Sequence, residues 1–329
     1  MGFDKLRTQV RGRVLTPGDA DFEQAARPWN TAVAQYPAAV VEAAAIEDIE
    51  AVVRFARSAG RFVVTQPTGH GATGDIAEAI LLRTGALNSV SVDPAARMAR
   101  VGAGADWGRV QAAAAEYGLT GLAGSNPVVG VTGYTLGGGL GWFARKHGWA
   151  SNAVRALEIV DAQGDRVRVA ADGDPELLWA LCGGGGDFGV VTALEFDLFP
   201  APGLYGGRVI WPGARTREVW ELFRRLTSQA PPMSCRCGST GSNSRRPRRW
   251  WRWTSPISVI RSGDGRWSPP STDSAVWSPI PARSCRWPIW AISPRSRPRR
   301  APRCPGPNCS PTSRMRRWRC CSAIPSPRW

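Results

Sequence analysis

Histidine is nearly missing from this chain: 329 residues contain two, His70 and His147. No cysteine pair has zinc-ligand spacing with a histidine nearby, so no metal site is expected. Cys235/Cys237 and Cys320/Cys321 lie too close for ordinary bridges, so the cysteines do not argue for a secreted disulfide framework. No Gly-Lys-Ser/Thr occurs, which excludes a Walker A loop. No strand–GxGxxG–helix unit with a following acidic residue occurs, which excludes a Rossmann fingerprint. No apolar run is long enough to span a bilayer, and no secretory h-region follows the polar N-terminus. A soluble, cytoplasmic protein without membrane partners is the expectation.

The charge is distributed unevenly. Of 42 Lys+Arg and 26 Asp+Glu, the stretch Met233–Trp329 holds 20 Arg and two acids, Asp264 and Asp273. Subtraction leaves 22 basic against 24 acidic residues in Met1–Pro232, so the +16 net charge belongs to the last stretch. That stretch also holds seven of eight cysteines, nine of 16 tryptophans and 15 of 27 prolines. It has no apolar periodicity and too much Pro, Arg and Ser to build a core.

The first 232 residues read as ordinary globular sequence. Ile46, Ile49, Val52, Val53 and Ala56 form one helical stripe within Ala44–Ala59, and Gly60 suits the C-cap. Arg61–Thr65 and Ala79–Thr84 read as strands, and Ser89–Asp93 with Met98–Val101 as a hairpin. Asp106 can cap a helix over Trp107–Tyr117. Val154–Asp161 and Arg166–Ala170 form a second hairpin. Asp174-Pro175 opens a helix over Glu176–Leu181, and Val190–Phe199 is a further strand. Strands and helices mix without a regular βαβ repeat, which predicts an α+β domain. Tyr205–Trp211 reads as the first strand of a new domain. Val219, Trp220, Leu222, Phe223 and Leu226 give the next helix an apolar face.

Two glycine constellations and one glycine turn carry the chemistry. His70 sits in Pro67-Thr68-Gly69-His70-Gly71-Ala72-Thr73-Gly74, directly after a strand. Such a turn lets backbone N–H groups close on a phosphate, because glycine removes obstructing side chains. Gly124–Gly141 has seven glycines in 18 residues. Each interior glycine costs a helix roughly 1 kcal/mol against alanine, so the stretch is expected to be loop packed on something flat or anionic. Cys182–Gly189 is a second cluster, leading into Val190-Val191-Thr192.

With their flanks, these segments resemble the berberine-bridge-enzyme-like FAD-linked oxidases, whose flavin domain is of the p-cresol methylhydroxylase/vanillyl-alcohol oxidase type. The likeness runs from about Leu15 to Leu226. It includes P-G-D-A-D-F at Pro17–Phe22, W-N at Trp29-Asn30, P-A-A-V-V at Pro37–Val41 and T-G-H-G at Thr68–Gly71. It continues through V-G-A-G-A-D-W-G at Val101–Gly108, the Gly124–Gly141 run, K-H-G-W-A at Lys146–Ala150 and Leu177–Thr192.

The resemblance implies an N-terminal segment at 1–34, an FAD-binding domain at 35–202 and the start of an α+β substrate domain at 203–232. A largely unstructured Arg/Pro/Ser/Trp-rich tail would follow at 233–329. It implies FAD as cofactor, cradled at its pyrophosphate by Thr68, Gly69, His70, Gly71 and Ala72. His70 falls where the family bonds a histidine to the flavin 8α-methyl. Ser125, Val129, Gly130, Thr132, Gly133, Gly138 and Gly139 would pack along the ADP and ring portions, and Val191 would meet the cofactor through its backbone. Doubly linked members carry a cysteine where this chain has Asn126, so a single tether is expected. Asn152-Ala153 departs from the family's usual Asp-Asn. The implied activity is oxidation of a small alcohol- or amine-type substrate, with hydride passing to flavin N5 and O2 reoxidising it. The resemblance assigns no catalytic base. His147 fills a position usually aromatic in relatives and is expected to be structural.

Nothing of the family's second domain is recognisable after Pro232. Trp250–Ile260, Arg286–Pro298 and Met233–Ser244 can each be back-translated so that a neighbouring frame reads as ordinary patterned sequence. A reading-frame change near Pro231–Met233 accounts for this, and would leave the chain catalytically incomplete or non-functional. The alternative is that the interleaved Arg and Trp of Arg248–Trp253 bind nucleic acid through phosphate charge and stacking; compositional patches are the weaker evidence.

Overall fold

The computed structural model describes residues 2–201 and 211–229, with the short strands at 204–205, 240–241, 250–252 and 259–260. In chain order the strands are β1 (Arg13–Leu15), β2 (Ala39–Glu42), β3 (Val63–Thr65), β4 (Ile80–Arg83), β5 (Val90–Asp93), β6 (Met98–Gly102), β7 (Leu119–Thr120), β8 (Val154–Val160), β9 (Arg166–Ala170), β10 (Val190–Asp197) and β11 (Phe199–Pro200). The helices are α1 (Asp4–Arg7), α2 (Phe22–Ala26), α3 (Ile46–Ala59), α4 (Trp107–Ala115), α5 (Val131–Leu136), α6 (Ala144–His147), α7 (Pro175–Gly184) and α8 (Thr216–Gln229).

The first sheet has the order β1-β2-β4-β3, with β2, β4 and β3 parallel. The apolar run Ile80-Leu81-Leu82 is fully buried because β4 is covered on both faces, as central parallel strands are. Ile80 and Leu82 join a cluster with Ile49, Val52 and Phe55 of α3, whereas Leu81 joins Ala25, Ala26, Val40 and Ile76. The predicted stripe of α3 is its buried face, and Gly60 ends it at φ 62°. The Asp48 carboxylate is 1% exposed and accepts from the backbone N–H groups of Arg11, Gly12, Ala44 and Ala45 at 2.7–3.3 Å. It thereby pins the first strand's entry to the start of α3.

The second sheet is antiparallel, in the order β5-β6-β10-β8-β9. Its cluster surrounds Trp107, which is 1% exposed, and includes Leu157, Ile159, Val191, Leu194 and Phe196. Val160 and Val190 belong instead to the α3 cluster, so alternate residues of β8 and β10 serve two layers. Arg166 bridges to Glu47 and Glu50 of α3, and Arg54 to Asp165 at 3.2 Å, tying the β8–β9 hairpin to that helix. The Asp106 and Asp174 caps form, accepting from Arg109 N and Leu177 N at 2.9 Å each.

The Gly124–Gly141 stretch is not all loop: residues 131–136 form α5. Glycine density averaged over eighteen residues conceals a six-residue window with one glycine, Gly133. The helix is held from outside, by Val131 N to Ala105 O at 2.9 Å and Thr132 Oγ1 to Ala103 O at 3.0 Å. The strand expected at Tyr205–Trp211 is described only at Leu204–Tyr205 and Trp211–Pro212. The apolar helix expected after it is α8. The expected tail lies outside the described residues, apart from the backbone of Thr240–Gly241, Trp250–Arg252 and Val259–Ile260. The Arg248–Trp253 nucleic-acid reading shares that position. Among the described residues no helix is long and apolar enough to cross a membrane.

Candidate functional site

β3 delivers the chain into the glycine turn. Gln66 closes the strand through its N–H to Leu82 O at 2.9 Å, and its buried side-chain amide pairs with that of Gln35 at 3.0 and 3.1 Å. Gln35 also donates to Thr73 O at 2.7 Å, so this amide pair clamps both ends of the turn. Gly69 has φ 82°, and a Cβ there would sit 2.8 Å from Pro28 Cβ and 3.0 Å from Gln66 Nε2. Glycine is therefore required by backbone conformation and by close approach of the 28–30 segment.

That segment organises His70. Trp29 N donates to Thr68 O at 3.0 Å and Asn30 N to Gly69 O at 3.3 Å. The Trp29 indole then stacks on the His70 imidazole, with ring centroids 3.9 Å apart and planes 17° from parallel. Thr68 Oγ1 lies 2.9 Å from His70 Nδ1. His70 Nε2 is buried and has no hydrogen-bond partner. Burial holds the imidazole below the ordinary histidine pKa, favouring its neutral form.

Arg83, at the end of β4, braces the same segment from behind. Its guanidinium donates to Ala25 O at 2.9 Å, Arg27 O at 2.5 Å and Gln66 O at 3.3 Å. One side chain thus fixes the α2 exit and the start of the turn together. An open cleft of about 490 Å³ reaches Pro67 and Thr68 past Arg83, Arg13 and Glu42. Its lining includes none of residues 124–141, and Arg13 is already paired with Asp21 and Glu42 at 2.7 Å each.

The second glycine segment meets the turn at Gly130. A Cβ on Gly130 would lie 3.6 Å from Pro67 Cβ and 3.6 Å from Thr68 Oγ1. The segment is fixed by Trp107 N to Val129 O at 3.0 Å and Gly108 N to Pro127 O at 2.8 Å. Gly130 thereby lies against Pro67 and Thr68, at the start of the turn. Ser125 is exposed, and Asn126 accepts from Val128 N at 3.1 Å in a tight turn.

The remaining expected contacts divide by what surrounds them. Gly138 and Gly139, at φ 102° and 72°, are crowded by Trp149 and by Ala150 and Tyr134, so protein packing alone requires glycine there. Gly71 and Gly133 would present a Cβ to open space. Ala72 is half-buried within the turn, and Thr132 is committed to Ala103 O. The Val191 side chain is core, on β10 beside a register shift between Val191 and Ala193. His147 packs against Phe199 at 4.1 Å between centroids, an aromatic-type structural contact away from His70's partners. Sequence reasoning missed Arg83 and the Gln35–Gln66 clamp; it read Trp29 as a motif residue without its stacking partner.

The site suits a flavin nucleotide on two observations: a buried imidazole nitrogen without a partner, and open space where a Cβ on Gly71 or Gly133 would lie. Comparison with known proteins agrees. Residues 37–170 match the FAD binding domain family. Over 229 residues the chain is 33% identical to (R)-6-hydroxynicotine oxidase of Paenarthrobacter nicotinovorans, covering 68% of this chain and 49% of that protein. An FAD-dependent monooxygenase of Cochliobolus heterostrophus is 36% identical over 200 residues, covering 59% of this chain and 39% of its own length. Among solved structures, 6-hydroxy-D-nicotine oxidase of Arthrobacter nicotinovorans superposes with TM-score 0.68 at 29% identity, covering 77% of this chain and 56% of that one. A Physcomitrella patens BBE-like protein gives TM-score 0.72 at 22% identity, covering 80% and 57%, a likeness of fold.

The chain therefore carries an α+β FAD binding domain of the p-cresol methylhydroxylase type. Over about two thirds of its length it is similar to FAD-linked oxidoreductases. It spans about half the length of the curated relatives it matches, or less.

Proposed function

We propose that this chain holds FAD through one covalent bond at His70 and acts as the flavin-bearing part of an oxidase. The observation that carries the reading is His70 itself: a neutral-favouring imidazole in a glycine turn, with Nε2 buried and unpartnered. The turn Thr68–Ala72 would hold the pyrophosphate, with Gly130 and Gly133 giving the cofactor close access to the backbone. Ser125, Val129, Thr132, Gly138, Gly139 and Val191 would complete the wall, Gly138 and Gly139 by letting Trp149 and Tyr134 pack beneath it. Asn126 offers no thiol, which supports a single tether. Bound there, the flavin would supply two-electron chemistry, taking a hydride from a small alcohol- or amine-type substrate and passing the electrons to O2.

The stretch 233–329 enters this reading as a frame-changed replacement for the substrate-binding half. Resequencing across the codons for Pro231–Met233 tests that part; an intact frame there would remove it. For the cofactor, the full chain and His70→Ala are supplied with FAD and precipitated in acid. The expected result is flavin absorbance in the redissolved pellet of the parent only. Equal flavin in both pellets, or in neither, would sink the single-tether reading.

A further inference from the structure

The Trp29–His70 stack is not a by-product of core packing. Trp29 is 56% exposed, and the aromatic contact made by its ring is with His70. Its position is set by backbone, through the two rungs Trp29 N–Thr68 O and Asn30 N–Gly69 O, and by the Arg83 brace on Ala25 and Arg27. A large indole held half in solvent, parallel to an imidazole whose one nitrogen has no partner, is arranged around that imidazole. Thr68 engages Nδ1 from the side, at 2.9 Å. Stack and hydroxyl together leave the ring one orientation and one free nitrogen.

We propose that Trp29 is a positioning residue for covalent flavin attachment, holding the His70 ring so that Nε2 is the nitrogen presented to the flavin methyl. This rests on the His70 reading above. Attachment uses the tautomer in which Nδ1–H donates to Thr68 Oγ1 and the Nε2 lone pair is free. Attachment forms one bond, from Nε2 to the 8α-carbon. It breaks one C–H bond of the methyl and the Nδ1–H bond of the imidazole. The two electrons pass through the flavin to O2, which takes up both protons and leaves as hydrogen peroxide. The protein's share is orientation: a ring free to rotate about its side-chain bonds presents Nε2 for only part of the time.

Because Trp29 is half-exposed, its removal leaves no core cavity, so a positioning role separates cleanly from a structural one. The test uses full-length apoprotein from riboflavin-limited cells, mixed with FAD in air. Aliquots are quenched in detergent and read by in-gel flavin fluorescence. Trp29→Ala is expected to slow attachment roughly threefold to tenfold, the range set by an aromatic stack. FAD held before attachment is expected to stay within about twofold of the parent, as measured by filtration. Trp29→Phe, which keeps a stacking ring, is expected to restore the rate to within about twofold. Parent-like attachment in Trp29→Ala, or a Phe variant as slow as the Ala variant, would overturn the proposal and leave the His70 reading standing. No fluorescence in the parent, or attachment in His70→Ala, would overturn the His70 reading, and this proposal with it.

Discussion

Gly133→Ala separates the two reasons a glycine can occupy this site, because they predict opposite signs. Gly133 lies inside α5, and an added Cβ would meet nothing within 4 Å. Its φ is not in the left-handed region, so alanine fits without strain. Replacing a helical glycine by alanine should stabilise the apoprotein by about 0.5–1 kcal/mol. At roughly 2–4 °C per kcal/mol for a domain of this size, Tm should rise by about 1–4 °C. If the open space is where the cofactor lies, the same methyl group intrudes on it. Steric overlap of that kind costs about 1–3 kcal/mol, or roughly fivefold to 150-fold in FAD affinity. Differential scanning fluorimetry of the apoprotein and FAD titration by fluorescence quenching read the two effects separately. A variant that is more stable and binds FAD as well as the parent would place Gly133 away from the cofactor and break this part of the account.

Gly69→Ala should behave differently, since its φ of 82° and the 2.8 Å approach of Pro28 both oppose a side chain. A loss of about 2–5 kcal/mol from left-handed strain and overpacking is expected in the apoprotein's denaturation midpoint, before any FAD is added. Asp48→Ala strands four backbone N–H groups and should lower stability by at least about 3 kcal/mol, again measured by denaturant titration. Thr68→Val removes the partner of His70 Nδ1 and should slow flavin attachment while leaving Tm within a few degrees. The His70 pKa is lowered by burial, so at acidic pH the unfolded chain binds the proton more readily than the folded one. This group's contribution is therefore fully present above the ordinary histidine value of about 6.5 and is lost as pH falls below it. Tm against pH should fall on the acid side, less steeply in His70→Ala; identical slopes would refute the assignment.

The fold was largely legible because its signals are local. The α3 stripe with Gly60, the Asp106 and Asp174 caps and the two hairpins each depend on residues within a few positions of one another. The turn around His70 was legible for the same reason: a strand, then glycines. What the sequence could not display was the company His70 keeps. Trp29 is 41 positions earlier and reaches the turn through its backbone bonds to 68–69, and Gly130, which approaches Pro67 and Thr68, is 60 later. Arg83 reads as the polar end of an apolar strand, and two of its three carbonyl partners, Ala25 and Arg27, come within reach only once α2 has docked. The α5 helix escaped because averaged glycine content conceals a short helix whose first turn is held from outside.

The central claim is that this chain carries its flavin on His70, and a peptide map tests it most directly. Trypsin cutting after Arg61 and Arg83 releases Phe62–Arg83, which contains His70 and no other basic cleavage point. After incubation with FAD and denaturation, the flavin fluorescence should run with that peptide, and fragmentation should place the added mass on His70. Flavin recovered wholly as free FAD, or bonded to a different peptide, would contradict it.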